Sequence, residues 1–397
     1  MELGLISFGS LLPDPRTGVA LTQRQRLRDV VRAAADAEEF GFAWYTVGEH
    51  HFGERDVIPS PAVVLAAIAE HTSTIRLATG TTLLANRDPV LVAEDYALVD
   101  LLSDGRLELV AGASFFPDPW TAFGQDPQTR SDRKREGVEL LLRLWSEERV
   151  TWQGRFRPPL HDVRVQPRIA QATPPLWISA GVGSGSVRLA VDHGLPLVAG
   201  TTARPPVDFV DVFAAYRREW AAAGRGEQPG RQGAASHVFV APTSQAARST
   251  WSQYITSYLS ARVPSPGKPG GPPDFDTYIG ADGPAICGSP AEVVDKLGRL
   301  HELWGHDLHL LAIDIGGIPA AEVQAATELI AAEVLPQVAG LGRGPDIGTQ
   351  TAGGAEPGGA EPGGVGPGPG STARVPEGSA PASGSAQEPT ATATAHA

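Results

Sequence analysis

Two histidines and a glutamate adjoin at the end of an apolar run near residue 50. The run 42–47, Phe-Ala-Trp-Tyr-Thr-Val, has the length and residue types of a buried strand, and Gly-Glu-His-His-Phe follows it directly. Histidine is the side chain most readily poised between acid and base near neutral pH. We therefore predict that His50 acts as a general acid or base, with Glu49 as its orienting carboxylate. A metal site here is the weaker alternative, because no His-Glu-x-x-His pattern is present.

Glycines mark two further segments that could hold a ligand. Gly80 and Thr81 lie inside the apolar run 75–84, where a glycine suggests a bulge or the close approach of another group. The run 175–180 leads into the turn Gly183-Ser184-Gly185-Ser186, at which a helix is expected to begin. Free backbone N–H groups at a helix N-terminus, with hydroxyls beside them, favour a phosphate group. An ordinary flexible turn is the alternative for this second segment.

Short apolar runs alternate with longer amphipathic runs over residues 1–339. The strand candidates are 3–8, 42–48, 75–84, 107–113, 175–180, 196–200, 235–241 and 308–315. The helix candidates are 22–40, 60–73, 89–102, 130–147, 184–193, 206–223, 244–261, 289–304 and 319–338. This alternation predicts an α/β fold of parallel βα units, most simply a (β/α)8 TIM barrel, whose strand ends form one active face. An open doubly wound sheet competes, but residues 8–12 are not its Gly-rich dinucleotide turn.

Two long segments interrupt the repeat, and a third follows it. Residues 114–129 and 262–285 are rich in proline and aromatic residues, and we expect them to be lid insertions; a plain flexible insertion is equally open for the second. Their aromatic residues suggest an apolar or aromatic organic substrate: Phe115, Phe116, Trp120, Phe123, Phe275 and Tyr278. Residues 340–397 consist mainly of Gly, Pro, Ala, Ser and Thr, and we expect a disordered tail.

Composition limits the class of partner. The formal net charge is −13 and no run of basic residues occurs, which disfavours nucleic acid. The apolar runs are much shorter than the ~20 residues that span a bilayer, and the first residues lack the basic segment of a signal peptide. The single cysteine, Cys287, precludes an intramolecular disulfide and is expected to be a small buried residue. We expect a cytoplasmic protein.

Several segments together resemble the bacterial-luciferase-like flavin-dependent monooxygenases. They are Glu49-His50-His51-Phe52, the stretch 88–106 ending in Leu-Leu-Ser-Asp-Gly-Arg, and the turn 183–186. The later segment 286–292, Ile-Cys-Gly-Ser-Pro-Ala-Glu, is similar to the start of a late helix in that family. The resemblance runs in order, with matching spacing, from residue 1 to about 338. It indicates the superfamily and leaves the substrate open.

The resemblance implies a (β/α)8 barrel that binds reduced FMN at the carboxyl ends of its strands. Reduced flavin would react with O2 at C4a, and the resulting hydroperoxide would oxygenate a small organic substrate. The family's acid–base histidine falls on His50, and its non-prolyl cis peptide under the flavin ring falls on Gly80-Thr81. Its phosphate site falls on Gly183 to Ser186. The family is commonly dimeric, so a homodimer is also implied.

One segment departs from the family pattern. Where the family often reads Gly-x-Gly-Arg-Gly after the fourth strand, with the arginine at the flavin phosphate, this chain has Ala111-Gly112-Ala113-Ser114-Phe115. Ala113 therefore stands at the position of the arginine, beside Ser114 in the expected cofactor site. Arg130 and Arg133 are candidates to supply the missing charge.

The leading interpretation is an FMN-dependent monooxygenase that receives reduced FMN from a separate flavin reductase, because no NAD-binding fingerprint is visible. A deazaflavin-dependent oxidoreductase that transfers hydride is the first alternative. A non-catalytic flavin-binding barrel is the second, favoured by the missing arginine and opposed by the retained His50. A metal-dependent hydrolase comes last, since no ligand set is apparent.

Overall fold

The computed structural model describes residues 1–53, 55–114, 116–183, 185–226, 228–261 and 273–342. In these ranges the strands are β1 Glu2–Ser7, β2 Trp44–Val47, β3 Arg76–Thr79, β4 Leu107–Ala111, β5 Val150–Trp152, β6 Leu160–Val163, β7 Leu176–Ala180, β8 Leu197–Ala199, β9 Gln232–Val240, β10 Ile286–Gly288 and β11 Leu308–Ala312. The α-helices are α1 Gln23–Glu39, α2 Pro61–Ala69, α3 Pro89–Leu102, α4 Pro117–Ala122, α5 Arg130–Ser146, α6 Ser186–His193, α7 Val210–Ala222, α8 Ser244–Ser260, α9 Phe275–Ile279, α10 Pro290–Trp304, α11 Ala320–Leu329 and α12 Leu335–Val338. Ser184, Phe115 and nearly all of the expected tail lie outside the described residues.

Eight of the strands close into a parallel barrel, as predicted. Their order is β9-β11-β1-β2-β3-β4-β7-β8, and β8 pairs with β9 to complete the circle. Every pairing in this circle is parallel, so all eight carboxyl ends lie at one end of the barrel. The segments that follow β2, β3, β4 and β7 are therefore neighbours on that face.

Side chains fill the inside of the barrel, which is a packed core. Residues that point inward include Ile6, Ala78, Val110, Trp44 and Trp177, all buried. The two tryptophan rings meet edge to face, 5.2 Å apart. Their indole N–H groups donate to acidic side chains, at 2.9 Å to Glu2 and 2.7 Å to Glu108. The amino end of the barrel is thereby closed.

Local sequence signals set several helix ends as predicted. Thr22 caps α1, and together with Gln25 it forms a reciprocal capping box. Ser289 does the same for α10 with Glu292, and Pro290 occupies the first helical position. Gly41, after the end of α1, has a φ of 83°, which a residue with a side chain rarely adopts.

Three parts of the fold differ from the sequence-based expectation. The segment 114–129, expected as a bare loop, contains α4 and the 3-10 turn Pro127–Thr129. The hairpin β5–β6 was not predicted, since strands of three and four residues give no measurable alternation. The strand candidate 75–84 ends at Thr79, and β10 adds a short parallel strand to the upper half of β9.

The Ser-Asp-Gly-Arg motif before β4 has a structural role. Asp104 and Gly105 have φ values of 51° and 78°, so the chain turns sharply after α3. The turn buries the guanidinium of Arg106, which donates to the carbonyls of Ala69, Thr72, Ile75 and Ser103. Arg106 thus joins the end of α2 to the start of β3, and burial lowers its pKa. The motif positions the strand that carries Gly80.

We predict that Arg106→Met lowers the free energy of unfolding by about 3 kcal/mol, because it leaves several buried carbonyls without a donor. Urea unfolding followed by circular dichroism measures the difference. Arg32→Met is the control: Arg32 is two-thirds exposed and forms an ion pair with Asp29, so its loss should cost less than about 1 kcal/mol. Equal losses for the two variants would contradict this role of Arg106.

Candidate active site

His50 lies at the carboxyl end of the barrel, three residues after β2 ends. Its ring centroid lies 5.6 Å from that of Phe8 and 6.2 Å from that of Phe116. Its Nδ1 lies 3.3 Å from Oδ2 of Asp56, whose side chain is only 3% exposed. A buried carboxylate at Nδ1 fixes the orientation of an imidazole and stabilises its charged form. The structure therefore gives His50 the surroundings of an acid–base group.

Glu49 is oriented differently from the prediction. Its Oε1 lies 2.9 Å from Nε2 of His51, and its Oε2 accepts a hydrogen bond from the backbone N–H of Leu83 at 3.0 Å. Arg87 approaches the same carboxylate at 4.0 Å. Glu49 thus links the His51 side chain to the segment after β3, and the carboxylate placed at Nδ1 of His50 is that of Asp56.

Sequence reasoning missed Asp56, which lies in an irregular loop. The loop is held to the segment after β1: Asp56 forms a bridge with Ser10, and Val57 N–H donates to the Gly9 carbonyl at 3.1 Å. A carboxylate six residues beyond His50 follows no helical or strand period, so no spacing signal could have identified it.

Three neighbouring strands end in glycine at this face. Gly48, Gly80 and Gly112 follow β2, β3 and β4. A Cβ on Gly80 would lie 2.6 Å from atoms of Ile6 and Thr46, and one on Gly112 would lie 2.1 Å from Oγ1 of Thr81. Side chains are therefore excluded by close packing at these strand ends. The Gly80–Thr81 peptide bond is cis, as the family resemblance predicts.

The turn after β7 is open. A Cβ on Gly181, Gly183 or Gly185 would meet no atom within 4 Å, and Gly183 has a φ of 69°. Helix α6 starts at Ser186, with Gly185 as its cap residue and no side chain capping it. The backbone N–H groups of this first turn are those that would face an anion. The predicted site residues Gly183, Gly185 and Ser186 thus lie together on the barrel's active face.

A lysine that the sequence analysis overlooked lies at this turn. Lys134 of α5 is buried, and its ammonium donates to Oγ of Ser186 and, at 3.1 Å, to the carbonyl of Ser179. Burial lowers its pKa to about 8, and Arg135 adds to the shift. The cation next to the turn is therefore neither of the two arginines considered from the sequence.

Those arginines and the segment after β4 are arranged otherwise. Arg130 is exposed, and Arg133 lies over the ring of Phe156, 4.7 Å from its centroid. Ala113 is partly buried, and the Ser114 hydroxyl donates to the carbonyl of Phe116 at 3.0 Å. The Lys134 side chain was hidden from sequence reasoning because helical periodicity places it on the buried face of α5, where an aliphatic residue is expected.

A second histidine lies across the barrel mouth from His50. His237 of β9 is buried; its ring lies 6.4 Å from Phe8, and its Nδ1 is 2.6 Å from the hydroxyl of Tyr278. That hydroxyl donates to the carbonyl of Thr202 at 2.9 Å. Tyr278, an expected lid residue, therefore covers the mouth at this point.

Two other expectations concern groups away from the mouth. Cys287 is buried, as predicted, and burial raises the pKa of its thiol to about 12. In the described ranges no group of three or more His, Cys, Asp or Glu side chains could hold a metal ion. No helix there is long and apolar enough to cross a membrane.

Fold and site together define a (β/α)8-barrel protein with a histidine beside a buried carboxylate and an open glycine turn at the carboxyl end of its strands. A family model described as luciferase-like monooxygenase matches residues 1–307. The chain belongs to this family.

Three relatives illustrate the similarity. Limonene 1,2-monooxygenase of Rhodococcus erythropolis is 29% identical over 85% of this chain and 88% of its own length. 4-Hydroxyprotoasukamycin monooxygenase of Streptomyces nodosus subsp. asukaensis is 33% identical over 45% of this chain, and the match spans only 49% of that relative. The oxygenase component of a flavin-dependent trigonelline monooxygenase from Acinetobacter baylyi is 29% identical over 44% of this chain and 48% of its own length.

A solved structure has the same fold over the whole barrel. The monooxygenase RslO1 from Streptomyces bottropensis superposes with a TM-score of 0.74 and 27% sequence identity. The superposition covers 85% of this chain and 99% of RslO1.

If the turn after β7 holds the phosphate of FMN, we predict that Lys134→Met weakens binding of FMN at pH 7 by about 10- to 100-fold, because it removes a charge-assisted hydrogen bond to that phosphate. Binding of riboflavin, which has no phosphate, should be unchanged; fluorescence titration measures both. Arg133→Met removes the adjacent cation and is the matched control, expected to leave both affinities unchanged. For the wild type, the preference for FMN over riboflavin should fall as pH rises through about 8, where Lys134 loses its proton. Equal losses for FMN and riboflavin in Lys134→Met would contradict the phosphate assignment.

Proposed function

We propose that this chain is the oxygenase of a two-component system: it binds reduced FMN, supplied by a separate flavin reductase, and uses O2 to oxygenate a small organic substrate. The observation that carries the proposal is the placement of His50 and the open glycines Gly181, Gly183 and Gly185 on one face of the barrel. They follow β2 and β7, and only β3 and β4 lie between these strands. With a strand spacing of ~4.8 Å, the two sites are separated by roughly 15 Å. An elongated ligand with a ring at one end and a phosphate at the other fits this arrangement.

The residues present suit FMN. Gly183, Gly185 and Ser186 would hold the phosphate through backbone N–H groups and a hydroxyl, and Lys134 would supply the charge that Ala113 cannot. The ring system would lie over the strand ends at Gly80 and Thr81, where close packing of Gly80 against Ile6 and Thr46 excludes a side chain. Lys134 thus supplies a cation in place of the missing arginine. This cation argues against a barrel that no longer binds its cofactor.

Reduced FMN, when bound, supplies the electrons with which O2 is activated. The task of the protein is to hold and move a proton beside the reacting atoms and to keep water away from them. Asp56 favours a proton on Nδ1 of His50, so Nε2 is the nitrogen that exchanges protons. Phe8 and Phe116 flank the imidazole and limit its contact with water, which leaves the His50 side chain 21% exposed.

His51 has a separate task in this proposal. Its Nε2 is held by Glu49, and its ring packs edge to face against Phe123 at 5.2 Å. The side chain therefore ties the segment after β2 to the insertion after β4 and shapes the mouth. We assign proton transfer to His50 alone. A cytoplasmic location, where a reductase can deliver reduced FMN, stays part of the proposal.

We predict that His50→Ala lowers product formation, with any substrate that the wild type oxygenates, by about 10²–10⁴-fold. FMN affinity should stay nearly unchanged, since the phosphate contacts come from α5 and the turn after β7. The yield of hydrogen peroxide per O2 consumed should rise, and an oxygen electrode with a peroxidase assay measures it. His51→Ala is the control and should reduce product formation less. If His51→Ala were the more damaging change, the proton donor would be misassigned.

We also propose a homodimer that buries the outer face of α2 and α3. The two helices pack against each other, and α2 consists only of apolar residues, which is typical of a helix that is fully buried. Yet Leu91 is 57% exposed and Leu98 is 50% exposed, and Val63, Leu101 and Leu102 are exposed beside them. Exposed apolar side chains grouped on one helix pair mark a candidate protein–protein interface.

We predict that Leu98→Glu shifts the protein from dimer to monomer, because a carboxylate in an apolar interface must be desolvated. Size-exclusion chromatography with light scattering measures the mass. Leu303→Glu, on the exposed side of α10, is the control and should leave the dimer intact. A wild-type protein that is monomeric at tens of micromolar would contradict the proposed interface.

A further inference from the structure

Six side chains form a continuous ring of contacts at the carboxyl end of the barrel. Successive ring or guanidinium neighbours lie 5.3 to 6.4 Å apart. The members, in order around the mouth, are Phe8, His50, Phe116, Arg55, Tyr258 and His237. Most of this ring is aromatic, which suits an apolar or aromatic ligand. Arg55 is its permanent positive charge.

The guanidinium of Arg55 is enclosed on both sides. Its Cζ lies 5.7 Å from the centroid of Phe116 and 5.3 Å from that of Tyr258, and the side chain is 12% exposed. Its Nε donates to Oδ2 of Asp56 at 2.9 Å. Its Nη1 is fully buried, and within the described ranges no group accepts a hydrogen bond from it.

A buried guanidinium N–H without an acceptor is unfavourable, because the group has lost its hydrogen bond to water and makes none to the protein. Asp56 does not satisfy Nη1: its Oδ2 accepts from Nε and faces His50 at 3.3 Å, and its Oδ1 makes no hydrogen bond among the described residues. Arginine presents its N–H groups as a planar fork that matches an ionised oxygen group. A ligand bound in the barrel mouth could supply the acceptor that Nη1 of Arg55 lacks.

We propose that Arg55 recognises an anionic oxygen on the substrate, such as a carboxylate, phenolate or enolate, and that the substrate is a ring compound carrying this group. The ring system packs against Phe8, Phe116 and Tyr258 while the oxygen accepts from Nη1 of Arg55. This inference rests on the proposed function, since it names the substrate class of the same site. The ionised group of the substrate would then contact Arg55, and the Asp56 carboxylate would link Arg55 to His50.

The test uses full-length protein free of flavin, and it compares 2-naphthoate with its neutral isostere 2-naphthamide by isothermal titration calorimetry. The wild type should bind the carboxylate at least about tenfold more tightly than the amide, which corresponds to one charge-assisted hydrogen bond. Arg55→Gln should reduce this preference to about one, and Arg55→Lys should keep part of it. Arg155→Gln is the matched control: it also removes an arginine stacked on a phenylalanine, but on the exposed surface, and should leave the preference intact.

Two results would overturn the proposal. One is a wild type that binds the amide as tightly as the carboxylate, an outcome that does not depend on any variant folding. The other is an Arg55→Gln protein, with an unchanged melting temperature, that keeps the preference for the carboxylate. A separate titration of each protein with reduced FMN distinguishes this proposal from the proposed function. Loss of carboxylate preference with unchanged FMN affinity supports the substrate role, whereas loss of FMN affinity alone would reassign Arg55 to the cofactor.

Discussion

The carboxylate of Asp56 is the group on which the proposed chemistry depends. One of its oxygens lies within 3.3 Å of Nδ1 of His50 and within 2.9 Å of Nε of Arg55, so it orients both side chains at once. It can do so because its loop is fixed by a backbone bridge to Ser10. A parallel barrel brings the ends of β1 and β2 together, and this proximity lets a surface loop become part of a rigid site.

The cofactor end of the site is built on a different principle. The glycines of the turn after β7 leave room for a ligand, while a helix N-terminus and Lys134 provide positive potential. The sequence has Ala113 where the family often has arginine, yet a cation reaches the turn from α5. The same electrostatic need can thus be met from a different element, because the fold brings α5 and α6 to the same face.

Much of this could be predicted from sequence, and the limits have physical reasons. Alternating runs predicted the barrel, the capping residues Thr22 and Ser289 predicted helix starts, and the family motif predicted the cis bond after Gly80. Glu49 was expected to orient His50, but the structure places Glu49 at His51 and Asp56 at His50. Adjacent residues on an extended chain point to opposite sides, so Glu49 and His50 do not face each other. Asp56 and Lys134 act through tertiary contacts, which leave no local pattern. The strands β5, β6 and β10 were too short to show a period.

The central claim is that the barrel uses reduced FMN to activate O2. The most direct measurement is an anaerobic equilibrium titration of the purified chain with reduced FMN and, in parallel, with the reduced deazaflavin coenzyme, followed by addition of oxygen. The account predicts that reduced FMN binds, that the deazaflavin binds more weakly, and that the FMN complex consumes O2. Binding of the deazaflavin alone, with no uptake of O2, would contradict the account and would favour an enzyme that transfers hydride.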